Sequence, residues 1–367
     1  MSAKKTPLTV ETPIHGMICN RHDGDTTPSG LRIPVTGRAS GRVIVSGQPV
    51  PVNNGRFATT VTLKQDVNEI VVVAESNGRR DEERLTVLYD QRSFPRARFS
   101  LDDNILFLRD IARNAGDYRS IFDNWFLDFF RTMHRRYGAR FHFNIYFEDV
   151  YFFKDFTLEK MTDKFKSEWR ENADWMRLTF HAMRDQPAKP YINTDYATMK
   201  RDCTKVTEQI VRFAGEESLS NYTTVHWGEC TLAGCRALHD LGFRGLVGYF
   251  EELDGKPFVS YYLDSFHQKH LFGRDYWKDI SEDLIFVKHD MVVNNVKLGD
   301  IVPRLDSLAA DPHRSEILEL LIHEQYLQKE YGEHYEPDAR ERVETAVRWA
   351  AEHGYRWVFY DEGFVGA

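Results

Sequence analysis

Between residues 30 and 90, hydrophobic and polar positions alternate along short segments that are rich in β-branched residues. Turn signals separate these segments, among them Asn53-Asn-Gly55 and Ser76-Asn-Gly78. Alternation with a period of two is typical of strands that bury one face, and this spacing without helices predicts a small β-sandwich. The predicted strands cover residues 31–36, 42–46, 56–63, 69–74 and 83–89.

From Arg96 onward the pattern changes, because apolar strand-like segments now alternate with segments whose apolar residues recur every three or four positions. Roughly seven or eight such repeats predict a (β/α) barrel, complete or distorted, with its chemistry at the C-terminal ends of the strands. Strands are predicted at residues 97–101, 139–146, 177–180, 209–213, 245–250, 284–287, 319–323 and 357–360. Helices between them include residues 120–137, 196–208, 232–241 and 338–352.

A length of 367 residues favours two domains, which we place at residues 1–92 and 93–367. The predicted fold class is therefore a small N-terminal β-sandwich followed by an α/β barrel. The formal net charge of −8 and a pI near 6.0 argue against a nucleic-acid partner. The sequence has no long apolar run that predicts a membrane partner. The first residues lack the apolar stretch of a signal peptide, so the chain as given is expected to be cytoplasmic unless a signal has been removed.

Ionisable residues gather at the predicted strand ends. The most informative are Asp102 and Asp103 in Arg98-Phe-Ser-Leu-Asp-Asp-Asn104, where an apolar segment stops at two carboxylates. Carboxylates are rarely buried without a partner, so the pair indicates a site, although Asp-Asp-Asn also fits a turn or a helix N-cap. A single histidine at a strand end could be a core residue or a helix cap rather than a site residue. The occurrence of several ionisable residues at successive strand ends favours a hydrolytic metal site. The later strand ends add His181, Arg212, His226, Trp227, His323 and Glu324.

In the order of these residues, the chain from about Arg96 to Glu362 resembles the polysaccharide deacetylase family, carbohydrate esterase family four, whose fold is a distorted (β/α)7 barrel. The family's Phe-Asp-Asp motif is matched by Leu101-Asp-Asp103, and its later Leu-x-His motif by Leu321-Ile-His323. The resemblance implies that Asp102 is the general base, Asp103 a metal ligand and His323 the general acid. It also implies an arginine that orients the base, for which Arg212 is the candidate. Residues 30–90 resemble the bacterial immunoglobulin-like modules attached to carbohydrate-active enzymes.

Two departures from the family pattern affect the metal site. The family has two metal-binding histidines four residues apart, whereas this chain has His181 followed four residues later by Asp185. The proline after the family's orienting arginine is Ala214 here. A carboxylate can replace imidazole on a divalent metal, so Asp185 is one candidate for the third ligand and His226 is the other. We favour His226, because Asp185 lies in the charged, proline-flanked segment Arg184-Asp-Gln-Pro187.

These residues predict a metal-dependent hydrolase that removes an acetyl or other acyl group from a carbohydrate. Zinc suits two nitrogens and one oxygen with an open position, although cobalt or nickel would bind the same donors. The aromatic content of 13% suits stacking on sugar rings as well as a dense core. The predicted substrate-binding residues are Trp227, Glu229, Tyr191, Glu324 and Tyr326.

Two alternatives remain open from sequence. A glycoside hydrolase on a related barrel would use two carboxylates, with Glu229, Glu148 and Glu324 as candidates. A non-catalytic glycan-binding protein would use the aromatic residues without holding a metal.

The helix at residues 340–352 places Ala346, Trp349 and Ala350 along one side, which is either a homo-oligomer surface or ordinary packing within the barrel.

Overall fold

The computed structural model describes residues 8–362 apart from 251, 254–255 and 258–260. The chain divides into two compact units between Phe94 and Pro95. Tyr276–Ser281 belongs with the first unit, which the sequence did not predict. Strands and helices are mixed throughout the second unit, as expected of an α/β fold. Among the described helices, none has the length and apolarity needed to cross a bilayer.

The first unit contains two five-stranded sheets whose strands bury alternate residues. Along Gly30–Arg38, for example, Leu31, Ile33 and Val35 are buried and the residues between them are more exposed. One sheet has the order Thr9–Thr12, Gly30–Arg38, Arg56–Leu63 and Val52–Asn53, with Asp25–Thr27 also paired to Gly30–Arg38. The other has the order Ile18–Cys19, Arg79–Tyr89, Val67–Ser76, Arg42–Val45 and Gln48–Val50. Tyr276–Asp279 is a further strand.

The second unit is built on parallel strands in two groups. Strand β1 is central to the first group and pairs with β2, β8 and β9, while β2 pairs with β3 and β8 pairs with β7. In the second group β5 lies between β4 and β6. The strands are β1 Arg96–Asn104, β2 Phe141–Tyr146, β3 Met176–Ala182, β4 Tyr222–Thr223, β5 Gly245–Gly248, β6 Leu284–Lys288, β7 Met291–Val292, β8 Ile317–His323 and β9 Arg356–Trp357. A separate short hairpin pairs Glu252–Leu253 with Lys256–Pro257.

Helices connect these strands, as the alternating pattern predicts. The α-helices are α1 Leu106–Arg113, α2 Trp125–Tyr137, α3 Lys166–Glu171, α4 Tyr196–Ala214, α5 Leu232–Asp240, α6 Ser265–Phe272, α7 Ile301–Ala309 and α8 Ala339–Glu352.

Along α8, Ala346, Trp349 and Ala350 are buried within the second unit, and the Trp349 indole donates to Asp306 of α7 at 2.8 Å. That face is therefore ordinary packing, and the hypothesis that it forms an oligomer surface is wrong.

The strand predicted at residues 209–213 is also wrong, because this segment forms the last turn of α4. The apolar residues Met199, Cys203, Val206, Ile210 and Phe213 recur every three or four positions and are all buried. The helical period therefore continues beyond Glu208, where the predicted helix ends. Seven other predicted strands overlap strands of the structure.

Glu324 joins the end of β8 to the start of α1. Its buried carboxylate accepts the backbone N–H groups of Ile105, Leu106 and Phe107 at 2.7, 2.9 and 2.8 Å. These are donors that a helix cannot satisfy internally, and α1 has no acidic residue in its own first turn. Burial raises the pKa of Glu324 to about 7, although the hydrogen bonds act in the opposite direction. The predictions of Glu324 as a substrate-binding or glycosidase residue are therefore wrong, because it is enclosed as a helix cap.

We expect Glu324→Ala to lower the free energy of unfolding of the second unit by about 3 kcal/mol at neutral pH, because three buried N–H donors lose their acceptor. Urea unfolding measures the change. Glu330→Ala, at an exposed position six residues along the chain, is the control and should leave the stability unchanged. Equal stabilities of the two variants would contradict the capping role.

Candidate metal centre

A distortion at the end of β1 turns two adjacent carboxylates toward one pocket. Successive side chains of a regular strand point to opposite faces. Here the pairing with β2 shifts register between Leu101 and Asn104, and Asp103 adopts a left-handed backbone with φ of 62°. Aspartate tolerates this conformation better than most residues. Both Asp102 and Asp103 consequently line the same cavity.

Three potential ligand atoms lie close together beside Asp103. Its Oδ1 is 3.1 Å from His181 Nε2 and 3.3 Å from His226 Nδ1, and the two histidine nitrogens are 3.2 Å apart. Ligand bonds of about 2.0–2.2 Å, as zinc forms with imidazole and carboxylate, require donor atoms roughly 3–3.5 Å apart. The three side chains therefore fit a divalent metal ion. Asp185 is not part of this cluster, because its carboxylate accepts the backbone N–H of Val150 at 3.1 Å.

Backbone contacts orient the first histidine of the cluster. His181 is the penultimate residue of β3, and its Nδ1 lies 2.5 Å from the carbonyl oxygen of Thr224. A carbonyl only accepts, so Nδ1 carries a proton and Nε2 is the nitrogen that faces Asp103. His226 follows β4 in a tight turn, where Trp227 has φ of 64°. Two neighbouring strand ends thus supply one histidine each.

Burial and charge act in opposite directions on the ionisation of this cluster. Burial disfavours the charged form of Asp103, but hydrogen bonds with His181 and His226, together with the charges of His226 and His323, hold the pKa of the carboxyl well below its ordinary value. Burial likewise opposes protonation of His181, yet the nearby Asp102 and Asp103 raise its pKa. Asp103 is therefore ionised and available to a cation.

Tyr146 and Gln325 contact the cluster, and sequence reasoning did not single out either residue. The Tyr146 hydroxyl hydrogen-bonds Asp103 Oδ1 and lies 2.8 Å from His226 Nδ1. The Gln325 amide donates to Asp103 Oδ2 at 2.8 Å. Burial and the charge of Asp103 raise the pKa of Tyr146 well above its ordinary value, so the phenol keeps its proton. Only their positions at strand ends could have indicated them in the sequence, since Tyr146 ends β2 and Gln325 follows β8.

Neutral amides contact the two residues expected to transfer protons. The Asn144 amide on β2 donates to Asp102 Oδ1, and Asn294 Oδ1 lies 3.0 Å from His323 Nδ1. Arg212 does not reach Asp102, because its guanidinium donates to the carbonyl oxygens of Leu158 and Met161, each at 2.8 Å. The prediction of Arg212 as the residue that orients Asp102 is therefore wrong. The error arose because residues 209–213, the last turn of α4, were predicted as a strand.

The carboxylates and histidines open into a cavity of about 380 Å³. Two aromatic side chains predicted to bind sugar, Trp227 and Tyr326, are part of its wall. The lining residues are Asp102, Asp103, His181, Thr224, His226, Trp227, Tyr249, Asn294, Asn295, His323, Gln325 and Tyr326.

Three other predicted site residues do not line the described cavity and contact other residues instead. Tyr191 is buried beside Phe180, and its hydroxyl accepts the backbone N–H of Met183 and contacts Asp202, so its prediction as a sugar-stacking residue is wrong. Glu229 forms an ion pair with Lys189, and Glu148 forms one with Arg184 at 2.6 Å. None of the three is among the lining residues that the structure describes.

Neither the protein-family models nor the curated proteins compared with the sequence include a match. Solved structures do match. A provisionally assigned polysaccharide deacetylase from Mycobacterium smegmatis is 10% identical, with 73% of this chain and 87% of that chain covered and a TM-score of 0.42. A peptidoglycan N-acetylglucosamine deacetylase is 10% identical over 76% of this chain and 92% of that chain, with a TM-score of 0.37. A CE4 family pseudoenzyme from Bacillus anthracis is 7% identical over 80% of this chain and 86% of that chain, with a TM-score of 0.33.

Two of these three solved structures are named as polysaccharide deacetylases and the third as a CE4 family pseudoenzyme, so they belong to the family that the sequence resembles. Because the TM-scores are low, the inferences below rest on the residues of this chain.

The opposite pKa shifts of Asp103 and His181 predict a pH-dependent contribution to stability in metal-free protein. The lowered pKa of Asp103 stabilises the folded state above the ordinary value of 3.8. The raised pKa of His181 stabilises it below the ordinary value of 6.5, and this contribution is lost as pH rises through the folded-state pKa. The stability difference between wild type and Asp103→Asn should therefore be larger at about pH 5.5 than at about pH 9.

Urea unfolding in the presence of a chelator measures this difference. Asp117→Asn, at an exposed aspartate, is the matched control and should show no such dependence. A difference that is the same at both pH values contradicts the proposed coupling.

Proposed function

We propose that the protein is a metal-dependent hydrolase that removes an acetyl or other acyl group from a carbohydrate. The observation that carries the proposal is the convergence of Asp103, His181 and His226 within ligand distance beside Asp102 and His323 in one cavity. Metal-dependent hydrolysis requires a cation that has few protein ligands. It also requires a base and an acid that act on the same substrate. The residues that we propose for these roles all line the cavity.

Asp103, His181 and His226 would hold the metal, for which zinc is our first choice because two imidazole nitrogens and a carboxylate oxygen suit it. A bound divalent ion supplies polarisation of the acyl oxygen and of the attacking water. Tyr146 and Gln325 hydrogen-bond the two oxygens of Asp103 and so keep its carboxylate in one orientation. His226, rather than Asp185, is the third ligand in this proposal.

Asp102 is proposed to accept a proton from the attacking water. Its carboxylate is buried, and the Asn144 amide donates to Oδ1. His323 is proposed to protonate the departing amine or alcohol. Asp102 and His323 are paired in register on β1 and β8, so base and acid stand on adjacent strand ends. Neither role requires a residue from outside the described cavity.

The fold proposed with this function has two parts. The parallel strands of the second unit run in two groups that a bridge between Leu178 and Leu219 connects, and we assign them to a distorted (β/α)7 barrel. The two sheets of the first unit are assigned to an immunoglobulin-like sandwich, since each buries alternate residues.

A glycoside hydrolase receives less support from the same residues. Glu324 is a buried helix cap, and Glu229 and Glu148 form ion pairs with Lys189 and Arg184. The carboxylates that line the described cavity are Asp102 and Asp103, which are adjacent in sequence. Retaining and inverting glycosidases instead place two carboxyl groups on opposite sides of the scissile bond.

Ligand substitutions test the proposal. We expect Asp103→Ala, His181→Ala and His226→Ala to lower zinc affinity by more than about tenfold and to abolish acetate release, since even an outer partner of a metal ligand is worth roughly 10–100-fold. Elemental analysis after zinc loading and calorimetric titration measure binding. Asp185→Ala is the control and should bind zinc as the wild type does.

Asp102→Asn separates proton transfer from metal binding. This variant should retain zinc and lose about 10²–10⁴ in kcat, the usual contribution of a general base. Wild-type protein that neither binds zinc nor releases acetate from N- or O-acetylated sugars would overturn the proposed function.

A further inference from the structure

The turn that carries His226 is held in an unfavourable backbone conformation. Trp227 and Gly228, the two residues that follow, have φ of 64° and 60°. Glycine adopts this left-handed conformation freely, whereas the bulky side chain of tryptophan disfavours it. One hydrogen bond closes the turn, from the backbone N–H of Gly228 to the carbonyl oxygen of Val225 at 2.5 Å. Because the preceding strand, β4, is two residues long, the sheet contributes little to holding His226 in place.

Tyr261 supports this turn on both sides of His226. Its backbone N–H donates to the carbonyl oxygen of Gly228 at 3.0 Å. Its hydroxyl accepts the backbone N–H of Val225 at 3.3 Å and donates to the carbonyl oxygen of Val247 on β5 at 2.7 Å. Burial raises the pKa of Tyr261 well above its ordinary value, so the phenol keeps the proton that it donates. These three hydrogen bonds, which we call the Tyr261 clamp, tie the backbone before and after His226 to a neighbouring strand.

The ring of Tyr261 is fixed in the core of the second unit. The residue is buried, and its ring centroid is 6.1 Å from that of Phe250 and 5.6 Å from that of Phe286. Gly248 leaves room for the ring, since a Cβ at that position would lie 3.1 Å from Tyr261 Cε2. Tyr261 also has a left-handed backbone, with φ of 49°. Strained backbone is concentrated at functional sites, and here Trp227 and Tyr261 bring two such conformations to the turn that carries a candidate ligand.

We propose that Tyr261 is a positioning residue for His226, the third ligand of the proposed metal site, and that it acts through the backbone of the turn rather than by contact with the metal. The inference rests on the proposed function and deepens it. A ligand four residues after His181 would follow the same strand, β3, whereas His226 comes from a separate strand end. Metal ligands need to be held within about 0.5 Å of their binding geometry. The Tyr261 clamp gives His226 the fixed backbone that the short strand β4 does not supply.

Nuclear magnetic resonance of metal-free protein tests the clamp without requiring zinc or turnover. The Tyr146 ring provides two comparable contacts, because its centroid is 5.2 Å from the ring of His226 and 5.1 Å from that of His181. Tyr261→Phe keeps the aromatic ring and removes the two hydrogen bonds of the hydroxyl. In this variant the cross-peaks between Tyr146 and His226 should weaken or disappear, and those between Tyr146 and His181 should remain.

Tyr355→Phe is the matched control. It removes the hydroxyl of another buried tyrosine, which donates to the carbonyl oxygen of Ser315 at 3.1 Å, and Tyr355 is not among the described lining residues of the cavity. This variant should leave both sets of cross-peaks unchanged. Cross-peaks between Tyr146 and His226 that keep their wild-type intensity in Tyr261→Phe would overturn the inference.

A double-mutant cycle measures the effect of the clamp on metal binding. Tyr261→Phe should lower zinc affinity by about tenfold, the lower end of the usual effect of a residue that supports a ligand. Competition with a chelator of known affinity measures this change. The same substitution should have no further effect in a His226→Ala background, but should still lower affinity in a His181→Ala background, where His226 remains a ligand. Equal effects in the two backgrounds would indicate general loosening of the fold and would contradict the inference.

The outcomes distinguish the clamp from the function on which it rests. Unchanged zinc affinity in Tyr261→Phe overturns the clamp and leaves the hydrolase intact. Zinc binding that follows the expected cycle without acetate release contradicts the hydrolase and supports the clamp. If the wild-type protein binds no zinc, the proposed function fails, and the comparison of cross-peaks in metal-free protein still decides whether Tyr261 holds His226.

Discussion

The left-handed backbone at Asp103 is the constraint on which the site depends. Without it, Asp102 and Asp103 would point to opposite faces of β1, and one of the two carboxylates would leave the cavity. The next residue holds the distortion, because the buried Asn104 amide donates to the carbonyl oxygens of Leu101 and Asn144, the latter at 3.0 Å. Asp-Asp-Asn is thus one unit, in which the two aspartates line the cavity and the asparagine maintains the backbone geometry that places both there.

A buried polar network fixes the strands that carry this unit. Arg98 on β1 contacts Glu319 on β8 at 2.5 Å and donates to His142 on β2 at 2.8 Å. Burial raises the pKa of Glu319 to about 7, against the opposing influence of Arg98, and burial together with Arg98 keeps the pKa of His142 well below its usual range. Removal of Arg98 would leave the Glu319 carboxylate buried without its opposite charge, so the network penalises any change of register among the three strands.

The sequence was sufficient to predict the residues that lie at true strand ends. Asp102, Asp103, His181 and His323 follow predicted apolar strands, and the structure brings them together with His226 in one cavity. Predictions failed where the residue type suited the proposed role but the residue lies in a different secondary-structure element or is buried away from the cavity. Arg212 lies on a helix whose apolar period was cut short, Tyr191 is in the core, and the Glu324 carboxylate is used by the backbone of α1.

Other contacts could not be predicted because they join residues far apart in the chain. Asn144 reaches Asp102 across 42 positions, and Gln325 reaches Asp103 across 222. Side-chain amides carry no periodic signal, so their role appears only when the strand register is known. Charged candidates at strand ends can be identified from the sequence. The neutral side chains that orient them can be identified only once the folded structure is known.

The charge balance of the cavity connects these observations. Its described lining contains two carboxylates but no lysine or arginine, and the groups that contact the carboxylates most directly are the neutral Asn144, Tyr146 and Gln325 together with histidines. Two adjacent carboxylates repel each other. Burial opposes protonation of His181, but the charges of Asp102 and Asp103 raise its pKa, so its proton compensates part of their charge. In the proposed function, a divalent cation would compensate both carboxylates and take the lone pairs of the histidines at the same time. Neutral amides would then suffice to orient the proposed base and acid, because the cation would supply the charge that an arginine otherwise provides.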